Sequence, residues 1–191
     1  MKRITVARMP AYFGARGIAV LVLLCGVGSA TTVKPLSVEE LTTRSTHVVL
    51  ARAVGSRSAW NAAHTLIYTE TRFTAEQNLK GTAPATFSVR QIGGSADGYT
   101  QKVSGVRGWQ PGEEAVLFLR PSEANDGTYA ITGLMQGNFA VKQTNAGKVM
   151  VSNGVPDVTA FDSATGRLNH FGGAEMSLQE LRRRVDGVRQ R

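Results

Sequence analysis

Between Leu66 and Lys80 the chain reads LIYTETRFTAEQNLK and alternates along most of its length. Ile67, Thr69, Thr71, Phe73 and Ala75 fall on one side, and Tyr68, Glu70, Arg72, Thr74 and Glu76 fall on the other. Side chains repeat every two residues in a strand and every 3.6 in a helix, so this segment fits a long strand with one buried face and one wet face. Such a strand cannot stand alone, because its backbone donors and acceptors need partners and its apolar face needs cover. The rest of the chain must therefore supply a sheet.

The neighbouring segments offer one. HVVLARAVG, 47–55, is Val-rich and closes on Gly55, which predicts a strand followed by a polar loop at 56–65 that carries Trp60. TFSVRQI, 86–92, predicts another, broken by Gly93-Gly94, and 99–103 fits an edge strand. Residues 105–112 form a loop with Arg107, Trp109 and a Pro111-Gly112 turn. EAVLFLR, 114–120, is the most apolar strand, and Asn125-Asp126-Gly127 turns it back into 128–133 as a hairpin. Asn145-Ala146-Gly147 sets up a second hairpin from 138–142 and 148–152.

Two capping-box patterns frame this β region. Ser37 with Glu40 predicts a short helix over 38–44, preceded by an extended lead-in at 31–36. Ser177 with Glu180 predicts a final helix over 178–189. Leu178, Leu181, Val185 and Val188 make its apolar stripe, and Arg182, Arg183, Arg184 and Arg189 sit among them. Residues 153–174, rich in Gly, Asp, Ser and Asn, read as loop. With no βαβ alternation in view, the expected class is mainly β: a small antiparallel barrel or sandwich with one short helix at each end. The expected layout is a leader at 1–30, a barrel domain at 31–152, and a loop with a basic amphipathic helix at 153–191.

The leader is read from its three zones. Lys2, Arg3, Arg8 and Arg16 form a basic start, Ile18 to Cys25 an apolar run, and Gly26 to Ala30 a small-residue exit. This is the layout of a secretory signal peptide, with cleavage expected after Ala30 and an exported, periplasmic or secreted product. The apolar run is shorter than the roughly 20 residues that a membrane-spanning helix needs. Leu24 stands where a lipidation motif wants a small residue before Cys25. Of 22 basic residues four lie in the leader, whereas none of the 14 acidic ones do, so the formal charge of +8 falls to +4 on cleavage. Much of the apparent basicity thus belongs to export and argues little for nucleic-acid binding. Cys25 is the only cysteine. The exported chain has no disulfide framework and no Cys-built zinc site, and must be held by its core.

Three stretches, THVVLARAV, IYTETRFTAEQNLKG and PGEEAVLFL, together resemble the barrel core of the netrin-like superfamily, which includes the tissue inhibitors of metalloproteinases. The resemblance spans about residues 46 to 142 and implies an oligonucleotide/oligosaccharide-binding (OB) type of barrel. It does not carry the inhibitors' mechanism. They place a free N-terminal cysteine on the protease's zinc, whereas here the processed chain would begin at Thr31 and contain no cysteine.

Motifs for chemistry are sparse. His47, His64 and His170 show no metal-ligand spacing, and HExxH is absent. Gly93-Gly94-Ser95-Ala96-Asp97 lacks the second glycine of a nucleophile elbow, so a Ser95–His64–Asp97 set has only arithmetic in its favour. No phosphate-binding glycine loop occurs. Glu39-Glu40 belong to a helix first turn, and Glu113-Glu114, adjacent at a strand start, point to opposite faces. No cofactor and no metal is indicated. What remains is a binding surface: Trp60, Arg90, Tyr99, Arg107 and Trp109 are the candidate ligand-contacting residues, opposed by the reading that the tryptophans close the barrel as core.

The expectation is a non-enzymatic exported module for a protein or envelope glycan partner, with nucleic acid disfavoured. Contact of the C-terminal helix with an anionic membrane surface, a cysteine-free inhibitor or accessory of an exported protease, and a small hydrolase stay open as alternatives.

Overall fold

The computed structural model describes residues 32–154, 159–162, 166–170 and 172–190. The leader expected at 1–30, with its cleavage site, lies outside them. In chain order, β1 (Thr32–Val33) and α1 (Val38–Arg44) precede two fourteen-residue strands, β2 (His47–Trp60) and β3 (Ile67–Lys80). Then come β4 (Thr86–Ile92), β5 (Gly94–Ala96), β6 (Tyr99–Gln101), β7 (Glu114–Pro121) and β8 (Tyr129–Ile131). The chain ends with β9 (Asn138–Gln143), β10 (Val149–Ser152), β11 (Thr159–Asp162), β12 (Arg167–His170), β13 (Glu175–Ser177) and α2 (Leu178–Arg189).

The molecule is mainly β, built around a sheet of eight strands in the order β13-β10-β9-β7-β2-β3-β4-β8, with two short helices. The β8 strand bonds β4 on one side, in parallel, and β7 on the other, antiparallel. Pairing therefore runs from β7 through β2, β3, β4 and β8 back to β7. The β7 strand makes this possible by dividing one edge between two partners: Leu119 to Pro121 pair with β8, and Ala115 to Leu117 pair with β9.

The alternation of β3 is reproduced in burial, with Ile67, Thr71 and Phe73 inside and Arg72 and Thr74 in solvent. The β7 strand is buried on both faces, as is the start of β2 at Val48 and Val49, and two cores result. Val49, Phe73, Phe87, Val89, Leu117 and Leu119 fill one, inside the pairing circuit. Val48, Val116, Phe118, Phe139 and Val151 form the other, on the opposite face, where Leu41 of α1 and Leu181 and Val185 of α2 cover them. Burying both faces explains the unbroken apolar run of β7, since each successive side chain enters a different core.

Local chemistry sets the helix boundaries. Ser37 accepts from the Glu40 N–H at 3.1 Å while the Glu40 carboxylate accepts from the Ser37 N–H at 2.9 Å, the complete capping box. At α2 the box is only half made. Ser177 accepts from the Glu180 N–H at 3.1 Å, but the Glu180 carboxylate binds Arg183 instead. The stripe docks α2 through Leu178, Leu181 and Val185, with Val188 half-buried. Its arginines face inward at several points: Arg184 holds Glu39 of α1 through two bonds of 2.7 and 2.6 Å, Arg182 donates to Gln77 at 2.5 Å, and Arg189 to the Leu79 carbonyl at 3.1 Å.

Two expectations need correction. Gly55 does not end its strand. Val54 is an extra residue between the pairs Ala53–Phe73 and Gly55–Arg72, a β-bulge that bends β2 and lets it run on to Trp60. Half of the loop expected at 56–65 is therefore strand, tied by Ser56–Thr71 and Ser58–Thr69 hydroxyl pairs at 2.8 Å. Nor is 153–174 all loop: β11 and β12 form an antiparallel hairpin, and β1 joins β11 in parallel. Just beyond it, β13 adds to β10 at the edge of the main sheet. Both expected hairpins, β7–β8 and β9–β10, are present, and 99–101 pairs with 94–96.

Candidate functional site

A groove of about 730 Å³ lies on the outer face of β2, β3 and β4. Register sets its floor. Arg57, Glu70 and Arg90 are cross-strand neighbours in one row, with Gly55, Arg72 and Ser88 in the next row and Ala59, Tyr68 and Ile92 on the other side. These are the polar-face residues of the alternating strand, flanked by β2 and β4. Trp60 and Asn61 wall the groove where β2 turns toward β3. Asn61 holds that turn, its side-chain oxygen accepting from the N–H groups of Thr65 (2.8 Å) and Leu66 (3.1 Å).

Charge on the floor is uneven. Arg90 is engaged: it bonds Asp126 on the β7–β8 turn, stands 4.0 Å from Glu70, and lies 5.7 Å over the Tyr68 ring. The hydroxyl and backbone N–H of Thr128 hold the Asp126 carboxyl below its ordinary range, and the Arg90 charge adds to this. Asp126 therefore stays ionised, and Arg90 stays fixed between the turn and the sheet. Arg57 and Arg72 are exposed and make no ion pair among the described residues. The groove thus carries a local positive excess beside an aromatic end. At that end Trp60 stacks on His64 (5.7 Å, 22°) and meets Tyr99 edge-on (5.7 Å, 70°), with Tyr99 66% exposed.

Of the five candidate residues, Trp60 and Arg90 line this groove, and Tyr99 stands against Trp60 outside its lining. The other two lie elsewhere. Trp109 is 4% exposed, packed edge-on against Phe73 at 5.0 Å in the inner core, and its indole N–H is buried without a partner. It offers no ring face to a ligand. Arg107 pairs with Glu113 at 3.2 Å beside a separate cavity of about 380 Å³, where the buried Asn138 and Asn153 also lie. Arg57, Tyr68, Glu70 and Arg72 complete the groove and were not singled out. The period-two pattern had already placed the last three together on the polar face. Arg57 was hidden by the reading of Gly55 as a strand end.

The Ser95 hydroxyl pairs with Thr100 at 2.8 Å and not with His64. Among the described residues there is no group of three His, Cys, Asp or Glu side chains close enough to hold a metal ion. Also among them, no helix is long and apolar enough to cross a membrane. What the arrangement can do chemically is bind: cations and hydrogen-bond donors on a rigid sheet, with aromatic surface at one end.

No family model and no curated protein matches the chain.

Proposed function

We propose that this protein is an exported, non-enzymatic binding module that holds a protein or envelope partner in the groove of β2, β3 and β4. The observation that carries this reading is the convergence of Trp60 and Arg90 with the unpaired Arg57 and Arg72 on one concave surface of sheet. Loops move, whereas strands paired in a sheet hold side chains in fixed spacing, which suits recognition. Export rests on the leader pattern of residues 1–30.

The pairing circuit supports reading the five strands as a small OB-type barrel. Strands β2, β3 and β4 are consecutive neighbours, β8 lies parallel to β4, and β7 returns to β2. Barrels of this type bind on the face of their second and third strands, between the first hairpin loop and the last. Here those strands are β3 and β4, and the groove lies between Asn61 and the Asp126 turn.

The test is capture from cell-envelope extract by the wild-type protein and by an Arg57→Glu/Arg72→Glu variant whose circular dichroism is unchanged. A partner retained by wild type and lost by the variant supports the reading. Equal capture by both, or turnover of a substrate by the purified protein, overturns it.

A further inference from the structure

The groove has a feature that its side chains do not explain: one long wall of it is an open strand edge. The β2 strand pairs with β7 only from His47 to Arg52, and the last contacts to that side are the Ala53 N–H to the Glu113 carbonyl and the Gly112 N–H to the Ala53 carbonyl, both 2.8 Å. Beyond the bulge at Val54, β2 pairs with β3 alone. In an antiparallel pair alternate residues aim both backbone groups at the partner, and those between aim them away. The register fixes which do which. Ile67, opposite Trp60, turns its carbonyl to Gly93 and its N–H to Gln101, away from β2, while the Asn61 N–H reaches the Leu66 carbonyl. Trp60 therefore belongs to a pair without mutual bonds, and so do Ser58 and Ser56 two and four residues back. The N–H and C=O groups of these three residues face outward and meet no backbone or side-chain partner among the described residues.

An edge of this kind is a template for another strand, and folded proteins usually cover it, charge it or bend it away. Here the bulge leaves Val54 half exposed at one end, and Trp60 stands at the other. Between them the outward row on β2 is Gly55, Arg57 and Ala59. Arg57 borders the edge directly. Gly55 adds no side chain between the edge and Arg72, and the space above it is open. Both unpaired arginines are thus within reach of a chain lying along the edge.

We propose that the partner docks as an added strand: an extended acidic segment that bonds the outward backbone groups of Ser56, Ser58 and Trp60. Acidic side chains at every second position would meet Arg57 and, across Gly55, Arg72. Main-chain bonds supply the affinity of such an addition, and the alternating side chains supply its selectivity. The edge from Val54 to Trp60 takes a segment of about six residues. This inference rests on the groove being the binding surface and adds what fits there.

The test uses peptides of about nine residues, long enough to cover the edge. One alternates glutamate with threonine, and one alternates lysine with threonine. Two further copies of the acidic peptide carry N-methyl groups on alternate backbone nitrogens, one in each phase. The acidic peptide should bind the full-length protein and weaken at high salt, whereas the lysine peptide should not bind. One methylated phase should bind at least about tenfold more weakly than the other, because it loses the donors that face β2. Amide exchange at Ser56, Ser58 and Trp60 should slow in the complex.

Equal binding of both methylated phases, or unchanged exchange at those three amides, overturns strand addition. No binding of the acidic peptide, with groove-dependent capture of an envelope partner retained, overturns the acidic strand and leaves the groove reading standing. Failure of both experiments removes both.

Discussion

The contact between Arg184 and Glu39 joins the last helix to the first, and its worth can be read from pH. Two bonds of 2.7 and 2.6 Å hold the carboxylate. The Arg184 hydrogen bonds, with its charge, bring the Glu39 pKa down from 4.5 to about 2 against the opposing effect of partial burial. In a fully shielded site that shift would correspond to about 3 kcal/mol at neutral pH. The Glu39 and Arg184 side chains are 45% and 33% exposed, so solvent screening reduces the expected coupling to about 1 kcal/mol.

The folded pKa is depressed, so the contribution is complete above the unfolded value of 4.5 and is lost as pH falls through about 2. A double-mutant cycle with Glu39→Gln and Arg184→Met, read by urea unfolding, isolates this coupling. It cancels the separate interaction of Glu39 with the α1 dipole, which survives in the Arg184 variant. The cycle should give about 1 kcal/mol at neutral pH, falling toward zero across the acidic window. A coupling that is absent at neutral pH, or that persists unchanged at the acid end, would refute the account.

Three further outcomes follow from packing. Leu181→Ala empties a fully buried position between α2 and the sheet and should cost about 2–5 kcal/mol in denaturant unfolding. Gly94→Ala should destabilise by more than an ordinary exposed-strand change: Gly94 has φ +128, and a Cβ there would overlap the Thr69 hydroxyl and lie 2.5 Å from that of Ser58. Chemical denaturation of that variant, compared with Gly98→Ala, where φ is also positive but the space is open, separates crowding from backbone strain. Trp60→Phe should leave a blue-shifted emission that iodide quenches poorly, because Trp109 is enclosed by the inner core, while Trp109→Phe should leave the quenchable component.

The sequence made the helices and the strand-rich class legible because short-range chemistry decides them. Ser37 and Ser177 mark helix starts by what they can bond three residues on, and the alternation of β3 needs no partner to be recognised. Gly55 misled because glycine marks both strand ends and bulges, and only the register against β3 distinguishes them. The β11–β12 hairpin was missed because strands of four residues leave too little periodicity to count.

Trp109 follows the reading that a tryptophan closes the core, but its partner was not legible: it sits in a loop of Gly, Arg and Pro, and its burial depends on Phe73, a residue distant in sequence. Arg107, close by, is taken up by Glu113. Trp60 and Arg90 share the groove because β2 runs past Gly55, and Tyr99 of β6 reaches Trp60, and neither event is written in any one segment.

The sharing of one sheet face by α1 and α2 has a consequence for timing. Phe118, Phe139 and Val151 stay uncovered until Leu181 and Val185 arrive, and these lie near the end of the chain. A chain made only as far as β13 can form its hairpins but cannot close this outer core. Closure must wait until residues 178–189 are free to dock, so the arrival of α2 sets the moment at which the second core becomes dry.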